Sequence, residues 1–183
     1  MKCYLIRHGK DDESVRGGWS ASPLCNEGIA QVKELTFYLR SQNLNIGIIY
    51  TSDLVRAVQT AHIIAEALSL AVEERSAFRE TNNGYLAGMD NGTALKCYPG
   101  VYWSNLDWEE PYPGGESPCQ FYNRISEAWL QFKEEIANMN YDVALVTHGG
   151  VIHVIQCIER NIKYTNKEKQ FPIGYAQMIA VEV

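Results

Sequence analysis

Two of the chain's four histidines occupy matching sequence contexts. Each ends a short apolar run and is followed by glycine, as His8-Gly9 and as His148-Gly149. Such runs bounded by glycine are typical of buried strands in an α/β sheet, and ligands of these sheets bind beyond the carboxyl ends of the strands. We therefore expect the two imidazoles, with Arg7 beside the first, to converge on one pocket. That pocket suits an anion, with phosphate as the favoured ligand.

Two further residues could act chemically at the same edge of the sheet. Arg56 falls in the first turn of a predicted helix whose expected N-cap is Asp53, so its guanidinium would lie near free backbone amides. Glu80 follows a short strand and precedes a glycine-rich loop, where a carboxyl group could serve as a general acid. Taken singly, Arg56 and Glu80 also fit solvent-exposed roles, and the histidines fit structural ones.

The elements that must position these residues alternate between strand and helix. Strands are predicted at about 2–7, 46–50, 71–73, in the run ending at 147 and at 176–183; helices are predicted at about 26–41, 53–68, from 117 onward and at 150–160. This alternation indicates an α/β fold, a three-layer α/β/α sandwich with a mostly parallel central sheet. Residues 81–115 are rich in glycine and aromatics without a clean period, and are predicted to be a short inserted lid segment of a single domain, 1–183.

Composition limits the partners. The net charge of −6 over 183 residues argues against nucleic acid and against an anionic membrane, because both require a basic surface. No apolar run approaches the ~20 residues of a membrane span, and the start of the chain lacks signal-peptide character. Five cysteines without ligand-like spacing favour reduced thiols and a cytoplasmic protein. No metal or cofactor is expected, and the sequence leaves the oligomeric state open.

A set of six segments occurs in order along residues 1 to about 155. They are Leu5–Gly9, Gly18–Leu24 with Gly28 and Gln31, Tyr50–Ala61, Phe78–Glu80 with Gly84 and Gly88, Pro113–Ser117, and Val146–Gly150. This ordered set resembles the histidine phosphatase superfamily, in its phosphoglycerate mutase-like branch. The set is specific enough that chance is not a serious explanation.

The resemblance implies a role for each candidate residue. His8 would be the nucleophile that carries a transient phosphate, and Glu80 the acid that protonates the leaving alcohol and later activates water. Phosphoryl oxygens would be held by Arg7, Arg56 and His148, and the expected substrate contacts also include Gly9, Ser14 and Gly149. Positioning and charge stabilisation by cationic donors suffice for phosphoryl transfer.

One loop departs from the family pattern. The family commonly follows arginine-histidine-glycine with glutamate or glutamine, then threonine or serine, then asparagine three residues later. This chain has Lys10-Asp11 there, and Ser14 at the asparagine position. Ser14 could still donate one hydrogen bond, whereas Asp11 replaces a hydroxyl donor and adds a negative charge that should weaken phosphate binding. Lys10 or Arg16 could offset that charge.

These observations favour a metal-independent phosphomonoester hydrolase acting on a small phosphorylated metabolite. A phosphoglycerate-type mutase is an alternative, although the short segment between Glu80 and His148 favours hydrolysis. A non-hydrolytic module that binds a phospholigand or a protein is a third reading, supported only by Asp11. His62 and His153 are predicted to be structural, and the aromatic residues of the insertion to serve mainly in packing.

Overall fold

The computed structural model describes residues 1–183 and contains one five-stranded sheet. Its strands are Lys2–Arg7 (β1), Ile46–Thr51 (β2), Ala71–Glu74 (β3), Asp142–Thr147 (β4) and Met178–Glu182 (β5), in the order β3-β2-β4-β1-β5. Only β5 runs antiparallel to its neighbour, so the predicted mostly parallel sheet is confirmed. Because β1 and β4 are paired with Arg7 opposite Thr147, the chain leaves both strands side by side at His8 and His148.

Helices cover both faces of the sheet. They are Asn26–Gln42 (α1), Val55–Leu68 (α2), Asn91–Cys97 (α3), Pro118–Ile136 (α4) and Gly149–Glu159 (α5). Alternate residues of a strand point to opposite faces, and the core divides accordingly. Leu5 packs with the α4 and α5 side chains, whereas its neighbour Ile6 packs with those of α1 and α2. The predicted three layers are confirmed. None of the helices combines the length and apolar character that a membrane crossing requires.

The N-terminal caps of α4 and α2 differ in how well the local sequence predicts them. The predicted start of α4 is confirmed as a capping box, in which Ser117 Oγ accepts from the Gln120 amide at 3.2 Å and the Gln120 side chain accepts from the Ser117 amide at 2.9 Å. The predicted N-cap of α2 is wrong, because Leu54 holds that position without a side-chain cap. Asp53 instead accepts from Arg79 Nε at 2.6 Å and from Arg79 Nη2 as well, and a bidentate pair of two charged groups is stronger than one bond from a neutral backbone amide.

The inserted segment, residues 81–115, contains more regular structure than its sequence indicates. A 3-10 turn covers Gly84–Leu86, and α3 is capped by Asp90, whose carboxylate accepts from the Thr93 amide at 2.9 Å. A helix of seven residues is too short to reveal a helical period. Packing by the aromatics is confirmed for Trp103, whose ring centroid lies 5.6 Å from that of Phe121 in α4.

Candidate active site

The centre of the site is the contact between His8 and Arg56. His8 directly follows β1 and Arg56 lies in the first turn of α2, and Arg56 Nε donates to His8 Nε2 at 3.2 Å. Only 2% of the surface of Arg56 is exposed. Its Nη2 donates to the Gly18 carbonyl at 2.7 Å and its Nη1 to the Ser20 carbonyl at 3.3 Å. The guanidinium is therefore fixed in place before any ligand arrives.

The hydrogen bonds of His8 determine its tautomer. Nδ1 lies 2.7 Å from the Gly9 carbonyl oxygen, which can only accept, so Nδ1 carries the proton and Nε2 presents its lone pair. Burial lowers the pKa of His8 well below its usual value, and the charges of Arg56 and Arg7 lower it further, against the Gly9 bond that raises it. The ring is consequently neutral at pH 7, and Nε2 presents its lone pair beside a buried cation.

The second imidazole lies against the first. The ring centroids of His8 and His148 are 5.0 Å apart, and His148 is completely buried. Its Nε2 lies 2.8 Å from Ser52 Oγ at the end of β2, while its Nδ1 has no protein partner. Burial lowers the pKa of His148 well below its usual value, followed by the charge of Arg56. The neutral ring therefore offers one free polar nitrogen inside the site.

Arg7 is held by a part of the chain in which the sequence analysis found no candidate residue. Residues 163–177, here called the C-terminal segment, lead into β5 and return across the edge of the sheet. Arg7 Nη1 donates to the Ile173 carbonyl at 2.7 Å, and its guanidinium carbon lies 3.8 Å from the centroid of the Tyr175 ring. The Tyr175 ring centroid also lies 5.7 Å from that of His8. Arg7 Nε is buried without a partner, which leaves a donor for an anion.

The side chain of Glu80 lies against the first turn of α5. Its Oε2 accepts from the Gly150 amide at 3.0 Å and its Oε1 accepts from the Thr81 amide at 3.0 Å. A Cβ on Gly150 would overlap Glu80 Oε1 and would lie 3.1 Å from the carboxyl carbon. A side chain at the second glycine of the motif would therefore displace the Glu80 carboxylate. Gly149, the first glycine, has room for a side chain, because a Cβ there would lie 3.5 Å from Arg7 Nε, an ordinary van der Waals distance.

The backbone that carries Glu80 is anchored from α4. Arg124 donates to the carbonyl of Ala77 at 2.8 Å and to that of Glu80 at 3.2 Å. Its guanidinium is itself held by Glu116, with Nη2 2.7 Å from Oε1. Trp19 Nε1 also donates to the Glu80 carbonyl, at 2.6 Å. Arg124 is a positioning residue that sequence reasoning missed, because it lies among ordinary polar residues of α4.

Two of the expected phosphate contacts, Gly9 and Ser14, already have protein partners. The Gly9 amide already donates to Thr60 Oγ1 at 3.1 Å, and a Cβ on Gly9 would lie 2.6 Å from the Gly28 carbonyl of α1. Gly9 is therefore needed for close packing against α1 rather than for backbone approach to a ligand. Ser14 is exposed, and its hydroxyl donates to Asp12 at 2.7 Å, so it does not join the histidines.

Asp11, by contrast, is drawn into the site. Only 8% of the residue is exposed, and its Oδ2 lies 3.4 Å from Arg56 Nε, the same nitrogen that donates to His8. A backbone bridge between Asp11 and Leu24 fixes the loop. Burial raises the pKa of Asp11, and the charges of Arg56 and Arg7 oppose this rise. The departure from the family pattern therefore places a carboxyl group against the arginine that also contacts His8.

A cavity of about 440 Å³ reaches the site at Gly18, Glu80 and Gly150, which line it. The insertion contributes the aromatic rings, and the C-terminal segment contributes amide and ammonium groups. The remaining lining side chains include Arg16, Asn83, Tyr102, Trp103, Tyr112, His153, Tyr164, Asn166, Lys167 and Lys169. His153, predicted to be structural, is 5% exposed, and its Nε2 is without a partner at this wall.

The fold and the site together define a class: an α/β protein with a buried neutral imidazole, two arginines and a carboxyl group grouped at the carboxyl end of a mostly parallel sheet. No group of three or more His, Cys, Asp or Glu residues is arranged as a metal-binding cluster. This constellation suits phosphoryl transfer through histidine.

The chain belongs to the histidine phosphatase superfamily (branch 1), whose profile matches residues 3–183. It is 29% identical over 173 residues to a putative phosphoserine phosphatase 2 of Hydrogenobacter thermophilus, covering 90% of this chain and 81% of that protein. A 2,3-bisphosphoglycerate-dependent phosphoglycerate mutase of Bradyrhizobium diazoefficiens is 31% identical over 122 residues, covering 62% and 58%. The structure of a putative α-ribazole-5′-P phosphatase from Escherichia coli superposes with a TM-score of 0.84 at 21% identity, covering 98% and 89%. The family and fold predicted from the sequence are confirmed.

Proposed function

We infer that this chain is a phosphomonoester hydrolase of the histidine phosphatase type that acts through a phosphohistidine at His8. The observation that carries the inference is the fixed tautomer of His8. Its Nδ1 proton is committed to the Gly9 carbonyl, and Nε2 lies 3.2 Å from Arg56 Nε. A nucleophile that needs no deprotonation and stands beside a buried cation is ready to attack a phosphorus atom.

Two displacements complete the reaction. His8 Nε2 attacks phosphorus, so that an N–P bond forms while the P–O ester bond breaks, and the leaving alkoxide takes a proton from Glu80. Water then attacks the phosphohistidine and gives its proton back to the Glu80 carboxylate, the N–P bond breaks, and inorganic phosphate leaves. Glu80 faces the cavity, on the side where a leaving group would lie.

Charge stabilisation falls to the groups around the nucleophile. Arg56 and Arg7 supply two guanidinium groups, and Arg7 Nε has no partner of its own. His148 contributes its unpartnered Nδ1 as a neutral hydrogen-bond donor when Ser52 donates to Nε2. Preorganised donors of this kind stabilise a transition state without reorganisation, and no metal ion is required for the step.

The cavity supports a small phosphorylated metabolite as the substrate. Tyr102, Trp103 and Tyr112 offer flat apolar surface for a ring, whereas Arg16 and Lys169 offer positive charge for a carboxylate. Phosphoserine, whose leaving group carries a carboxylate, is one candidate. All five cysteines are free, and we place the protein, as one domain, in the reducing cytoplasm.

The mutase remains the second candidate function, because phosphoglycerate is also a small acid whose carboxylate Arg16 or Lys169 of the cavity could bind. The two activities differ in the fate of the phosphohistidine. A mutase returns the phosphate to a bound sugar acid, whereas a hydrolase loses it to water at each turnover. Release of inorganic phosphate in proportion to alcohol, without added bisphosphoglycerate, favours the hydrolase.

The test is hydrolysis of an aryl phosphate from about pH 5 to 8 in excess chelator. We expect turnover by the parent and none by His8→Ala. The matched control is His62→Ala, because His62 is an exposed histidine of α2, and it should behave as the parent does. Substantial residual turnover by His8→Ala, or loss of activity on chelation, would contradict the mechanism.

A further inference from the structure

The Asp11 carboxyl group lies on the same arginine nitrogen that a bound phosphoryl group would contact. Asp11 Oδ2 and His8 Nε2 both lie within 3.5 Å of a single nitrogen, Arg56 Nε. A phosphoryl group attached to Nε2, or about to be, must place its oxygens beside that nitrogen. Asp11 therefore acts as the counter-ion of Arg56 while the site is empty.

An ionised Asp11 paired with Arg56 becomes electrostatically unfavourable once a phosphate is bound. The two guanidinium groups of Arg7 and Arg56 balance a dianionic phosphoryl group, and an ionised Asp11 would add an uncompensated negative charge in a buried position. A carboxylate and a phosphoryl dianion that contact the same guanidinium nitrogen repel each other, and this repulsion favours protonation of one of them. The carboxyl group is screened little by solvent, since only 8% of the residue is exposed.

We propose that Asp11 takes up a proton when a phosphoryl group occupies the site and then donates its O–H to a phosphoryl oxygen. The inference rests on the proposed function only in that it places the phosphoryl group at His8. The proton comes from solvent on binding and returns to solvent when phosphate leaves, so the overall reaction is unchanged. Asp11 thereby supplies the hydroxyl donor that the family pattern has at this place, but in a form that depends on pH.

The surroundings of Asp11 determine the direction of the effect. Burial raises the pKa of Asp11 in the empty site, and the ionised forms of Glu13 and Tyr175 would act in the same sense, whereas the two arginines act against it. A bound dianion raises the pKa of Asp11 further. Affinity for the dianion must therefore increase as the pH falls, by about tenfold per pH unit between the two pKa values. The groups that face the Asp11 carboxyl are Arg56 of α2, Arg7 and His8 at the end of β1, Glu13 of its own loop and Tyr175 of the C-terminal segment.

The experiment measures sulfate affinity by calorimetry from about pH 5 to 8. Sulfate is a tetrahedral dianion that does not titrate in this range, so any pH dependence belongs to the protein. The matched variant is Asp11→Asn, which has the same shape without the charge and retains His8 and His148. Asp11→Thr is the second variant, and thermal unfolding checks that both are folded.

Between the pKa values of Asp11 in the empty and the occupied site, we expect the parent to bind sulfate about tenfold more tightly for each pH unit of acidification, beyond any change shared with Asp11→Asn. At about pH 8, both variants should bind sulfate at least tenfold more tightly than the parent. Calorimetry in buffers of different ionisation enthalpy should show one more proton taken up by the parent than by Asp11→Asn.

Three results would overturn the proposal or its basis. Identical pH profiles for parent and variants would assign the proton to the histidines instead of Asp11. Weaker sulfate binding by both variants at every pH would make Asp11 an ordinary structural partner of Arg56. Absence of sulfate binding with intact aryl phosphate turnover refutes the proposal alone, whereas absence of both refutes the proposed function.

Discussion

Replacing Gly150 with alanine tests whether Glu80 is held for proton transfer to the leaving group. The new Cβ would overlap Glu80 Oε1 and stand 3.1 Å from the carboxyl carbon. Ordinary van der Waals contact begins at 3.4 Å. Glu80 Oε1, the closest atom, must therefore retreat by about 1 Å. We expect the carboxylate to give up its 3.0 Å bond from the Gly150 amide as it moves. A displacement of that size at a reacting group costs about 10²-fold in rate.

The loss should depend on the leaving group. An alkyl phosphate requires a proton on its departing oxygen, whereas a nitrophenyl phosphate leaves readily as an anion. We expect Gly150→Ala to lose about 10²-fold in kcat/KM on an alkyl phosphate and clearly less on the aryl ester. Its free energy of unfolding should stay within about 1 kcal/mol of the parent value, because alanine is favoured over glycine in a helix.

Gly149→Ala is the matched comparison, since the same change one residue earlier puts the Cβ at 3.5 Å from Arg7 Nε. We expect the smaller loss of the two, with no dependence on the leaving group. Equal losses by Gly150→Ala on alkyl and aryl esters would refute the role of Glu80 as the acid. A large loss of stability would show that the helix start, and not the carboxylate, limits this position.

Three further predictions concern the positioning of Glu80, the pH dependence of stability and the hydrophobic core. Arg124→Met should lower activity on alkyl more than on aryl phosphates, because it frees the backbone of Glu80; equal losses would contradict a positioning role. The free energy of unfolding should fall as the pH drops below about 6.5, because the two histidines are protonated in the unfolded chain but stay neutral when His8 and His148 are buried. Urea unfolding at several pH values should show a flatter pH profile for His148→Asn than for the parent. An unchanged profile would contradict this cause. Trp129→Ala should cost about 3–5 kcal/mol in urea unfolding, since the side chain is fully buried; a cost under about 1 kcal/mol would refute its place in the core.

The strands and the residues at their ends were predictable because both signals are local. Apolar runs bounded by glycine identify β1 and β4, and a parallel sheet brings their ends together whatever the details of packing. The capping box at Ser117 is likewise contained in four residues. These features place His8 and His148 side by side without any knowledge of long-range contacts.

Contacts between distant parts of the chain were not predictable in the same way. Asp53 has the chemistry of an N-cap, but the preference for Arg79 depends on two segments that only the fold brings together. Gly9 shows the same limit, because its need for glycine comes from the backbone of α1. Arg124 carries no local signal at all, since its partners are carbonyl groups 44 to 47 residues away.

The C-terminal segment has a consequence for the timing of synthesis. His8, Arg56, Glu80 and His148 have all left the ribosome before Ile173 and Tyr175, which hold Arg7. The lining groups Tyr164, Asn166 and Lys167 also arrive late, and β5 then pairs with β1 from the opposite end of the sequence. A nascent or clipped chain that ends near Glu159 therefore has the nucleophile but neither the completed anion site nor the cavity wall. We therefore expect hydrolysis to begin only after β5 has paired with β1.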